Sequence, residues 1–167
     1  MGYQLVETVT VGSGGAASIE FTGIPQDGVD LVCVVSVRNA VAFPTVVLAT
    51  LNSDTGSNYS YVALEGNGSS ASSTSGTTTY FRMRITGSSD TANTFGNGQV
   101  YISNYTSLVS KSLASESVSE KNDATAYQRL EANSYSTTSG ITSIQLAVNG
   151  QNFVEYSTAS LYKIKYD

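Results

Sequence analysis

Apolar residues at every second position restrict this chain to strands. Ala17, Ile19 and Phe21 alternate with Ser18, Glu20 and Thr22, and Leu5, Val9 and Val11 share one parity near the start of the chain. Successive side chains of a strand point to opposite faces, so such alternation describes half-buried β-structure. No segment sustains a 3.6-residue apolar period, and β-branched residues and Tyr dominate the apolar runs. Helix is therefore expected to be nearly absent. Further strands are predicted at Leu31–Val37, Val46–Leu51, Tyr59–Leu64, Phe81–Ile85, Gln99–Ser103, Leu113–Val118, Tyr127–Ala132, Ile144–Val148 and Ser160–Ile164, about eleven in all. Turn residues fall between them: GSGG after Val11, IPQDG before Asp30, NSDTGSN after Leu51 and NGQN after Val148. The pattern predicts an all-β, antiparallel two-sheet β-sandwich. At 167 residues the chain is expected to form one domain, residues 1–167. Its core is predicted to include Ile19, Phe21, Leu31, Cys33, Val35, Leu48, Met83, Ile102, Ile144, Leu146 and Leu161.

Two stretches break the alternation. Leu31 to Val37 lacks alternation, which predicts a central strand covered on both faces and places Cys33, the single cysteine, as a small buried hydrophobe. Gly66 to Thr79, GNGSSASSTSGTTT, is the one low-complexity segment. Gly and Ser offset little of their ordering entropy by burial, so this stretch is predicted to be a mobile surface loop.

The composition narrows the function. There is no His and no Trp, while Ser and Thr number 26 and 19. Without imidazole the chain lacks the commonest general base and the commonest metal ligand, so neither an enzyme nor a bound cofactor is expected. The eight Lys and Arg are scattered in a chain of net charge −5, which disfavours nucleic acid as a partner. No apolar run is long enough to span a bilayer, and the opening MGYQLVETV lacks the basic and apolar regions of a signal peptide. Folding in a cytoplasm is the expectation.

Short motifs add little. Asp54-Thr55-Gly56-Ser57 has the letters of an aspartic-protease motif, but it occurs once and follows polar Asn52 and Ser53, so a hairpin turn between Leu51 and Tyr59 explains it better. Asn58-Tyr59-Ser60, Asn67-Gly68-Ser69 and Asn104-Tyr105-Thr106 match the glycosylation pattern as often as this composition produces by chance. Asp54 with Asn58, or Glu120 with Asn122 and Asp123, supplies oxygen ligands too sparse for a recognised calcium loop. The eleven Tyr are the remaining candidates, because aromatic rings with polar tips serve both sugar platforms and subunit contacts. Tyr59, Tyr61, Tyr101, Tyr105 and Tyr135 are the candidate ligand or interface aromatics.

The strings AASIEFTGIPQDGVDLVCVVSVR, NSDTGSNYSYVALEGNGSSAS, VYISNYTS, KSLASESVSEKNDATAYQ and ITSIQLAVNGQNFVEYSTASLYKI resemble a family of small virion structural proteins of tailed bacteriophages. The resemblance covers nearly the whole chain, with Cys33 and Phe43-Pro44 as departures. It implies a jelly-roll-like sandwich, a place on the virion surface after assembly in the bacterial cytoplasm, and a role as capsid decoration (cement) protein or as head or tail fibre. The implied partners are the major capsid protein or other virion proteins, a homotrimer of the chain itself, and, for a fibre tip, a host-surface glycan. No catalytic residue is implied.

Overall fold

The computed structural model describes residues 2–42, 46–119 and 126–165, and the expectations that fell on Phe43-Pro44 and on Glu120, Asn122 and Asp123 lie outside them. Alternation is expressed almost everywhere as twelve strands in two antiparallel sheets. In chain order they are β1 (Gly2–Thr10), β2 (Ser18–Phe21), β3 (Asp30–Val37), β4 (Val46–Leu51), β5 (Tyr59–Gly66), β6 (Ala71–Thr78), β7 (Phe81–Arg84), β8 (Gly96–Ile102), β9 (Lys111–Ser119), β10 (Tyr127–Tyr135), β11 (Ile144–Ala147) and β12 (Thr158–Lys165). The large sheet has the order β1-β12-β3-β8-β9-β10-β5-β6 and the small one β2-β11-β4-β7. No α-helix occurs among the described residues.

One core lies between the sheets. Ile19, Phe21, Val47, Ala49, Leu51, Phe81, Met83, Ile144 and Leu146 of the small sheet face Leu31, Cys33, Val35, Val100, Ile102, Leu113, Ala159 and Leu161 of the large one. Burial drives the Cys33 thiol up to about 12. Without Trp, the largest volumes are filled by Tyr59, Tyr105, Tyr135, Phe21, Phe81 and Phe153.

Several predictions needed correction. Leu48 is only half-buried, because Val47, Ala49 and Leu51 take the inward parity of β4. Leu5 points outward: a bulge between Leu5 and Glu7 reverses the parity of β1, so Val6 and Val9 pack on the core instead. β3 is central, between β12 and β8, yet Val34 remains 40% exposed, so only one of its faces is fully covered. The connection from Leu51 to Tyr59 is no hairpin, since β4 belongs to the small sheet and β5 to the large one.

The largest correction concerns Gly66 to Thr79. Only a short turn there is irregular, held by Asn67, whose side-chain oxygen accepts from the backbone N–H groups of Ser69 and Ser70 at 3.1 and 2.8 Å. The rest is β6, paired with β5 along its whole length as the edge of the large sheet. A segment with nothing to bury is ordered by its neighbour's ladder and by Tyr61, whose ring covers Gly76 directly across the pair.

Candidate interaction surface

Three of the five candidate tyrosines are core residues. Tyr59 is wholly buried, stacks on Tyr135 with ring centroids 4.8 Å apart, and takes a hydrogen bond from the Leu51 N–H at 2.8 Å. That bond ties together the ends of the sheet-to-sheet connection, and burial raises the phenol well above its ordinary range. Tyr105 sits in the turn after β8, accepts from the Gly28 N–H at 3.2 Å and donates to the Pro25 carbonyl. These rings cannot stack on a ligand, because both faces are packed. Tyr61 is half-buried, but one face lies on Gly76 and the Arg82 guanidinium stands over the ring, 4.4 Å from its centroid. Only Tyr101 opens onto solvent, with its hydroxyl donating to the buried Asp30 carboxylate.

Asp54 is likewise occupied by its own loop. Its carboxylate accepts from the Gly56 N–H at 2.8 Å, the Asn58 amide at 2.8 Å and the Thr137 hydroxyl at 3.3 Å, and the Asn58 bond foremost holds its pKa below the usual range. Asn52 and Ser53 before it adopt positive φ, so the DTGS letters encode a tight connection. Among the described residues no three His, Cys, Asp or Glu side chains stand close enough to share a metal.

A polar layer lies where the large sheet extends past the small one. The inward residues of β9 and β10 there are Ser115, Ser117, Arg129, Glu131 and Asn133, all buried. They meet Arg84 from β7, which grips Glu65 through two bonds, one from Nε at 2.7 Å, and packs its guanidinium 4.6 Å from the Tyr127 ring centroid. Arg129 bridges Glu65 and Glu131, donating from Nε to Glu131 at 2.6 Å. The Arg84 contact is the main reason the Glu65 pKa is lowered. These charges are paired and internal, which makes the layer a joint between the sheets.

The outer face of the large sheet is different in kind. Direct cross-strand neighbours run Leu5, Tyr162, Val32, Tyr101, Ala114, Ala132, Val62 and Ser75, an almost wholly apolar row through all eight strands. The adjacent row runs Val34, Gln99, Glu116, Leu130 and Leu64. Leu5, Val62, Leu64 and Leu130 are 56%, 56%, 58% and 47% exposed, and among the described residues no further strand covers this face. Its one acid in these rows, Glu116, takes a bond from the Gln99 amide at 2.7 Å. Near one end, Tyr3, Val32, Val34, Gln99, Tyr101 and Tyr162 border a shallow recess of about 410 Å³. An apolar sheet face without a cover is a candidate interaction site.

Sequence reasoning missed Val62, Leu64 and Leu130. The signal was present: Tyr59–Gly66 carries apolar residues on both parities, Tyr59, Tyr61 and Ala63 on one and Val62 and Leu64 on the other. A strand apolar on both sides is either central or meets something beyond its own domain.

These features define an antiparallel two-sheet β-sandwich with an open, weakly charged sheet face. Comparisons with protein-family models, curated proteins and solved structures gave no match to this chain.

Proposed function

We propose that the chain is a structural protein of a tailed-bacteriophage virion, a capsid decoration protein that binds the assembled shell and stabilises it. The observation that carries this reading is the uncovered apolar row across the large sheet. Binding to the assembled state alone stabilises that state by mass action. Two antiparallel sheets packed face to face, one reading β1-β12-β3-β8 onward and the other β2-β11-β4-β7, are compatible with a jelly-roll form of the sandwich. Viral capsid and lectin domains share that architecture, although architecture by itself assigns no role.

Magnitudes shape the reading. Burying the exposed halves of Leu5, Val62, Leu64 and Leu130 is worth about 3–6 kcal/mol. Association costs on the order of 4–15 kcal/mol, so one copy alone would bind weakly and firm occupancy calls for copies presented together.

The test is copy number and removal. A decoration protein is present in numbers comparable to the major capsid protein, and particles lacking it rupture at lower temperature while adsorbing normally to cells. Leu64→Glu with Leu130→Glu, both outward, should give a folded chain absent from particles. A second reading, a fibre tip or a carbohydrate-binding module, is favoured by the recess between Tyr3, Tyr101 and Tyr162. Low copy number together with adsorption lost in Tyr3→Ala or Tyr101→Ala would replace the first reading by this one.

A further inference from the structure

The two sheets end in four edge strands, and three of them carry features that keep an edge from pairing with another chain. β1 is bulged at Leu5/Glu7 and bears the Glu7 charge. β2 has four residues including Glu20, and β7 has four including Arg82 and Arg84. Short length, charge and bulges all discourage strand addition. β6 has none of them. It is eight residues long, ASSTSGTT, with no charge, no proline and no register shift against β5, and all but its last residue are exposed. Its inner side is held in place by the Tyr61 ring on Gly76, backed by Arg82. The ladder with β5 uses one side of the strand, and the backbone groups of the other side face outward.

We infer that β6 is a strand-pairing site for a second copy of this chain, β6 lying antiparallel against β6. The charges select this occupant. With a net charge of −5 two copies repel in general, but β6 contributes no charge to the contact. The nearest acid on β5, Glu65, is already neutralised by Arg84 and Arg129. Pairing β6 with β1 of another copy would instead meet Glu7 and the bulge. The side chains from Ala71 to Thr78 are all small, which leaves room for a second strand alongside.

The geometry has a direct result. Antiparallel pairing of identical edges places the twofold axis normal to the sheet, so both outer faces lie on the same side. The apolar rows of the two copies, each running from Leu5 to Val62, then lie on one side of a sheet of sixteen strands, twice the eight of one copy, separated by the two Ser- and Thr-rich β6 strands. The contact makes dimers, in place of the trimer that the resemblance implies, and it depends on the edge alone, with no shell as partner.

The experiment uses the full chain. Sedimentation over a wide concentration range should show a reversible monomer–dimer equilibrium. Backbone hydrogen exchange of those amides among residues 71–78 that point away from β5 should slow by about tenfold once nine-tenths of the chain is dimeric. Ser73→Lys with Ser75→Lys, on the exposed outer parity of β6, should leave the circular dichroism unchanged, abolish the dimer and restore fast exchange. Leu64→Glu with Leu130→Glu should keep the dimer. A wild-type chain that stays monomeric throughout, a trimer, or a dimer that survives the two lysines overturns the inference; so does wild-type exchange at residues 71–78 that is independent of concentration, should the lysine variant not fold.

Discussion

Removing a single oxygen from Tyr59 separates a core tyrosine from a ligand-binding one. The hydroxyl accepts from the Leu51 N–H at 2.8 Å in a fully buried setting, so Tyr59→Phe leaves a buried backbone donor without its partner. The cost of such an orphan is about 1–3 kcal/mol. For a chain of this size each kcal/mol lowers Tm by about 2–4 °C, which gives a fall of about 2–12 °C. Tyr59→Ala also empties the ring volume and the stack on Tyr135, raising the loss to about 3–5 kcal/mol or beyond. Urea unfolding followed by far-ultraviolet circular dichroism measures both, with an unchanged slope indicating that only stability has moved. A double-mutant cycle with Tyr135→Leu should recover about 0.5–1.5 kcal/mol for the stacked pair. If Tyr59→Phe unfolds at the wild-type midpoint, the hydroxyl does not hold the connection closed and the assignment of Tyr59 to the core scaffold fails.

Other expectations follow from single features. Gly96→Ala places a Cβ 2.7 Å from the Ile85 Cα and should destabilise by about 1–3 kcal/mol, whereas Gly66→Ala meets nothing within 4 Å and should be close to neutral in the same melts. Asp27 is paired with Lys163 and Lys165 at 2.6 and 2.5 Å, the Lys163 bond foremost holding its carboxyl at about 2 against an ordinary 3.8. A depressed carboxylate contributes stability that is full above pH 3.8 and is lost as pH falls toward 2; a carboxyl resonance of Asp27 titrating near pH 4 would contradict the pairing. Cys33, buried and with its thiol pushed up to about 12, should resist alkylation in native buffer and react at once in denaturant.

The strands were legible because alternation is a physical consequence of one buried face. Where that signal vanished, the reading stopped. β6 has no apolar residue except Ala71, so nothing in its own letters distinguishes strand from loop; its order comes from β5 and from the Tyr61 ring. Sheet membership was illegible for a similar reason, since NSDTGSN suits a hairpin or a crossing between layers equally well. Three of the five candidate tyrosines proved to be core residues because composition counts rings without their direction. Tyr59 and Tyr61 share a parity, yet Tyr59 lies over the core and Tyr61 beneath the overhanging edge. Tyr105 lies in a turn, where parity has no meaning. The outer-face row depends on register across eight strands, a property of pairing that no single strand contains.

The placing of β12 bears on how such a chain reaches its fold. It is the last of the twelve strands to leave the ribosome, yet it stands second in the large sheet, between β1 and β3. Among the described residues β1, made before the other strands, pairs with no strand but β12, and β2 with none but β11. The nascent chain can zip β8, β9 and β10 and the β5–β6 hairpin as they emerge, while one flank of the sandwich waits for β12. During that interval the apolar Leu31–Val37 run lacks its β12 neighbour and is open to association with other nascent chains. Recovery of folded protein should accordingly fall when elongation is slowed between β3 and β12, because that lengthens the time this one strand takes to arrive.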